Sequence, residues 1–103
     1  MVTAVVIFDV DESKLEIAKS AIAKFVCEID KNEVDTLTYI SYQDAANPLH
    51  FTHFMEFRDE TAHQAHRNSN HVREFTSVLY PCCLEPPNPS YLSTFARKGA
   101  MPK

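Results

Sequence analysis

Phe51-Thr52-His53-Phe54-Met55-Glu56-Phe57-Arg58-Asp59 runs straight into Glu60-Thr61-Ala62-His63-Gln64-Ala65-His66-Arg67, and Asn68-Ser69-Asn70-His71-Val72-Arg73-Glu74-Phe75 follows. The aromatic opening has a strand's period of two, so Phe51, Met55 and Phe57 face one way and Phe54 with Glu56 the other. Asp59 is a natural helix N-cap, and Glu60 sits in the first turn where the dipole favours an anion. Ala62, Ala65, His66, Ser69, Val72, Phe75 and Leu79 then trace the inner stripe of a helix. That stripe begins small and ends large, which leaves space near Ala62 to His66. Asn68 to Asn70 are poor helix formers, so a break or kink is expected there.

Outward from this stretch the chain is half a small fold before and one closing strand after. Val2 to Val10 is β-branched and aromatic, with the length of one strand and apolar groups on both faces. Asp11 to Ser13 turns into a helix, with Ser13 and Glu16 at capping-box spacing. Leu15, Ala18, Ile22, Phe25 and Ile29 give that helix its apolar stripe to about Asp30 to Asn32. Cys27 near its edge reads as a small packed hydrophobe. Val34 to Tyr42 is a second strand, Gln43 to Pro48 a short connection, and Leu49 to Arg58 the third strand of a hairpin. Four prolines make 81–89 a stiff connection, Ser90 to Ala96 reads as the last strand, and 98–103 as a tail.

The order is strand, helix, strand, strand, helix, strand, within a single domain over 1–103. That is the ferredoxin-like βαββαβ arrangement of the α+β class, an antiparallel sheet with two helices on one face. The other face is left bare although its strands carry apolar side chains, so a second copy packed sheet to sheet is expected, making a homodimer.

Composition narrows the functional classes. At 103 residues and 45% apolar content the chain is long enough for one modest core. A net charge of -4 with scattered Lys and Arg argues against nucleic acid as a partner. A single glycine, Gly99, excludes phosphate-cradling loops and dinucleotide fingerprints, so no nucleotide cofactor bound in those ways is expected. Three cysteines, Cys27, Cys82 and Cys83, form no disulfide framework and no zinc spacing. Cys82 and Cys83 are expected as packing under the second helix. The opening run is too short for a membrane span and lacks a basic leader, so a cytoplasmic location is expected.

The motif Met55-Glu56-Phe57-Arg58-Asp59-Glu60-Thr61-Ala62, with His66, Ser69, His71 and Phe75 after it, resembles the antibiotic biosynthesis monooxygenase (ABM) family of dimeric α+β barrels. The resemblance implies one pocket per subunit between sheet and helices. It implies activities that include cofactor-independent oxygenation of phenolic or quinol-like compounds, haem degradation, and isomerisation of a phosphorylated sugar derivative. The haem-degrading branch places a Trp about where this chain has His66 and an iron-binding His about where it has Thr76, and both are missing.

The leading expectation is a monooxygenase without cofactor or metal, acting on a small apolar, aromatic or quinol-like molecule. Such a site needs a base, an apolar pocket and a donor for the forming oxyanion. His66 is the candidate base and Glu56 its orienting carboxylate. His53, Phe51, Phe54, His71 and Ala62 are candidate substrate contacts. His66 reads equally as a helix histidine bonded to Glu56 or a carbonyl, and His71 as support for the helix break. Glu60, His63 and His66 drift around the helix, which argues against a metal there. Two other readings stay open: an acid-base isomerase using His66, His71 and Arg67 or Lys98, and a non-catalytic dimeric protein that binds a small ligand.

Overall fold

The computed structural model describes residues 1–99 and consists of four strands and three α-helices. The strands are β1 (Val2–Asp9), β2 (Thr36–Gln43), β3 (His50–Phe57) and β4 (Asn88–Leu92). The helices are α1 (Leu15–Asn32), α2 (Glu60–Arg67) and α3 (Asn70–Leu79). The sheet order is β2-β3-β1-β4 with every pairing antiparallel, the ferredoxin-like α+β fold expected from the sequence.

Alternation in β3 decides which side chains go inside. Phe51, His53, Met55 and Phe57 are buried beneath the helices, while His50, Thr52, Phe54 and Glu56 point to the opposite face. Phe8 stacks on Phe51 with ring centroids 5.6 Å apart, and Val10, Ala18, Ile22, Phe25, Ile29, Phe75 and Leu79 complete the main core. Ala4, Met55, Phe57 and Ala62 form a second cluster under α2. Ala62 is thus packing against the sheet, and Phe51 is packing against Phe8, rather than pocket wall.

The expected break at Asn68 to Asn70 separates α2 from α3. Asp59 caps α2 by accepting from the Ala62 amide at 2.9 Å, and Ser69 caps α3 by accepting from the Val72 amide at 3.3 Å. Both caps satisfy amides that a helix start leaves unpaired. The start of α1 differs from expectation. A short 3₁₀ turn, Glu12–Lys14, precedes it, and Ser13 donates to Asp11 instead of capping the helix. Cys27 is also exposed, on the outer side of α1, rather than packed. Cys82 is buried and Cys83 half-buried, each bonded through its thiol to a carbonyl four residues back.

The last strand lies earlier than the sequence suggests, at Asn88–Leu92 instead of Ser90 to Ala96. It pairs Pro89 with Val6 and Tyr91 with Ala4 along the sheet edge, where a proline's missing donor is tolerated. Of the expected tail 98–103, residues 100–103 lie outside the described residues.

No helix is long and apolar enough to cross a membrane among the described residues. The sheet face away from the helices carries Ile7, Ile40, Tyr42 and Leu92, exposed by 54, 37, 53 and 50%.

Phe57 is fully buried and touches both α2 and the sheet centre. Phe57→Ala is expected to lower unfolding stability by about 3–5 kcal/mol, measured by urea denaturation, since truncating a buried aromatic leaves a cavity.

Candidate functional site

A cavity of about 300 Å³ opens between the sheet and the helices. Its floor is Ala4, Val6, Phe8, Tyr39, His53 and Met55 from the sheet, and its other side is His63, His66, Arg67, Val72, Phe75 and Thr76 from α2 and α3. Pro89 and Tyr91 of β4 close one end. A larger hollow of about 530 Å³ runs along the outer surface between α1 and α3, lined by Glu16, Ile17, Lys24 and Val78 among others. The smaller one is the better chemical site, because it gathers the buried imidazoles His53, His63 and His66 around apolar walls.

His66 is buried on the inner side of α2. Its Nδ1 lies 2.8 and 3.0 Å from the two carboxylate oxygens of Glu33. Glu33 also accepts from the Thr36 hydroxyl at 2.6 Å and from His71 Nε2. Burial opposes ionisation of Glu33, but the bonds from His66, His71 and Thr36 outweigh it and hold the carboxyl down at about 2. An ionised carboxylate only accepts, so Nδ1 of His66 carries the proton that meets it. In a neutral ring the lone pair is then on Nε2, to which no hydrogen-bond partner falls among the described residues.

The carboxylate expected to orient His66 was Glu56, and the geometry corrects this. Glu56 lies one residue out of phase with His53 and Met55, so the strand's pleat sends it to the helix-free face with Phe54. Phe54 cannot wall the cavity for the same reason. His71 meets Glu33 behind His66 rather than lining the cavity.

His53 lines the floor, 1% exposed, with Nδ1 2.8 Å from the Tyr39 hydroxyl and Nε2 2.9 Å from Ser41. Burial pushes its pKa down to about 4, so it is neutral at physiological pH. Burial, with Glu33 next, pushes the Tyr39 phenol well above its usual range, so it stays protonated. Both nitrogens of His53 are occupied, which suits it to hold Tyr39 in place and not to take a proton. At the end closed by β4, His63 Nε2 is 3.2 Å from the Tyr91 hydroxyl and its Nδ1 3.1 Å from Glu60.

Sequence reasoning missed Glu33, Tyr39 and Tyr91. Glu33 carried one signal: a carboxylate at the C-cap of α1, where the helix dipole disfavours an anion. Glu60 meets His63 at 3.1 Å, while His66 turns to Glu33 instead. Among the described residues the metal-type donors that converge are Glu33, His66 and His71, whose ligand atoms lie within 4.8 Å of one another.

The sequence model of the antibiotic biosynthesis monooxygenase family matches residues 1–77. A crystal structure of an antibiotic biosynthesis monooxygenase superposes with a TM-score of 0.84 at 17% identity, covering 93% of this chain and 100% of that one. A conserved protein from Methanosarcina mazei gives 0.81 at 22% identity, covering 88% and 89%. A protein from Pseudomonas aeruginosa gives 0.79 at 21% identity, covering 92% and 94%. At these identities the likeness concerns the fold. No curated protein matches the sequence.

Glu33 and His53 both contribute to the acid response. Folded Glu33 titrates near 2 against 4.5 for the free group, so its stabilisation is full above 4.5 and is lost as pH falls toward 2. Folded His53 titrates near 4 against 6.5, so below 6.5 the unfolded chain takes up the proton first and stability falls until about 4. Chemical unfolding from pH 7 to 2.5 is expected to give a shallower loss between 6.5 and 4 in His53→Asn, and between 4.5 and 2.5 in Glu33→Gln.

Proposed function

The chain belongs to the antibiotic biosynthesis monooxygenase family, and we propose that it is a cofactor-independent monooxygenase acting on a small phenolic or quinol-like compound. The observation that carries this reading is the Glu33–His66 pair beside an apolar cavity. It fixes one imidazole tautomer and leaves the basic nitrogen without a hydrogen-bond partner among the described residues.

In this reading Nε2 of His66 removes the proton from a bound hydroquinone or anthrone. The imidazolium that forms is stabilised by Glu33, as a buried carboxylate stabilises a catalytic imidazolium elsewhere. The electron-rich anion passes one electron to dioxygen, and the two radicals combine to a peroxide on carbon. The peroxide takes the proton back from the His66 imidazolium, and its outer oxygen leaves as water with the hydrogen on the same carbon, so a carbonyl remains and one oxygen atom of dioxygen enters the product. No outside reductant is needed, because the substrate carbon supplies the electrons. Arg67, at the cavity wall, is a donor available for developing negative charge. A volume of about 300 Å³ is at the small end of ligand pockets, usually about 300–1,000 Å³, and suits a small aromatic compound.

His66→Ala is expected to lower oxygen uptake with a hydroquinone panel by about 10²–10⁴-fold, the usual scale for losing a general base. Glu33→Gln should retain binding and lose rate, since the amide keeps the shape but no longer stabilises the imidazolium. Affinity for the aromatic compound that survives His66→Ala, with no oxygen uptake in the parent protein, would favour a binding protein instead.

The bare sheet face supports self-association. Ile7, Ile40, Tyr42 and Leu92 lie on it at more than a third exposure, and a twofold copy would cover them. Light scattering is expected to give twice the 11.7 kDa of one chain. Ile40→Lys should shift that mass toward the monomer.

A further inference from the structure

We propose that Glu33, His66 and His71 form a binding site for a divalent transition metal, with zinc as its natural test ion, and that the metal and the base function of His66 exclude one another. The donors come from three separate elements: the C-cap of α1, α2 and α3. One atom from each lies within 4.8 Å of the others. Two imidazoles and a carboxylate are a recognised zinc set with a fourth position left for water, and the same set with open positions suits ferrous iron.

Several features of the surroundings favour a cation. The Glu33, His66 and His71 side chains are only 10, 9 and 18% exposed, so the donors are held rather than waving in solvent. Thr36 bonds one Glu33 oxygen at 2.6 Å and orients the carboxylate from behind, the arrangement that tunes many metal ligands. A surface hollow lined by Asp30, Glu33 and Thr36 gives an entry path with an added negative charge. Metal–nitrogen bonds of about 2.0–2.1 Å put tetrahedral donors roughly 3.3–3.4 Å apart. The 2.8 Å from His66 Nδ1 to Glu33 therefore widens by about half an ångström, within side-chain rotation at the carboxylate.

The consequence for the cavity follows from which nitrogen is used. The metal takes His66 Nδ1, so the ring gives up that proton and takes one from solvent at Nε2. His71 likewise gives up the proton at Nε2 and gains one at Nδ1. The cavity then meets an N–H where it had a lone pair, and His66 turns from acceptor to donor. Glu33 and His71 do not line the cavity, so the ion does not touch a compound bound there. The metal site stands on its own geometry. Only the loss of base function rests on the oxygenase reading.

The test titrates zinc chloride into chelator-treated full-length protein by calorimetry, and repeats it with cobalt(II) followed by visible absorption. The expected result is one ion per chain, a tetrahedral cobalt spectrum, and binding at least tenfold weaker in His71→Gln and Glu33→Gln. His50→Gln, which alters the exposed His50–Asp9 pair, should bind as the parent does. Circular dichroism identifies folded variants, and His71→Gln, which keeps a hydrogen-bond donor for Glu33, decides if Glu33→Gln does not fold. Nitrogen NMR of the His66 ring should show the proton moving from Nδ1 to Nε2 when zinc is added, with no need for activity. Absence of binding, binding unchanged in His71→Gln, or binding lost only in His50→Gln overturns the site. One-to-one binding without the tautomer change overturns the exclusion alone.

Discussion

One carboxylate shared by two imidazoles is the constraint around which the site is arranged. Glu33 is largely shielded and stands at the negative end of α1, so neither its place in the helix nor its surroundings favour a charge. It is ionised because His66, His71 and Thr36 all donate to it. Those three donors come from α2, α3 and β2, so the same atoms that orient a catalytic imidazole also tie four elements together. Removing the carboxylate leaves the buried His66 ring and the half-buried His71 ring without their acceptor, a loss of structure as well as of chemistry.

The position of that pair depends on the break between α2 and α3. A continuous helix would continue 100° per residue past Arg67, whereas Ser69 starts a new helix whose first turn brings His71 onto Glu33. The caps at Asp59 and Ser69 are therefore what bring His66 and His71 together on one carboxylate.

Much of the fold was legible in the sequence because it follows from local period and local chemistry. The alternation of β3, the stripe Ala18, Ile22, Phe25 and Ile29, the cap at Asp59 and the break before Asn70 are all settled within a few residues of themselves. The edge strand was misplaced because Pro89 argues locally against a strand, and only pairing with β1 overrides it. The site was legible in part. His66 and His53 fall on inner faces that periodicity reveals, but Glu33 lies 33 residues from His66, and no local pattern connects them. The same alternation that placed His53 also separates Glu56 from His66. Applied to the orienting group, it would have excluded that residue.

The wall that carries Tyr91 is unlike the others. β4 is five residues long, exposed throughout, and paired on one side only, to β1. Backbone held by so few buried contacts lies at the low end of local opening free energies, far below the β1–β3 centre. Amide exchange along Asn88–Leu92 should outpace that of the central ladder, and each peeling of this strand uncovers the cavity at His63 while Glu33 and His66 stay locked behind it.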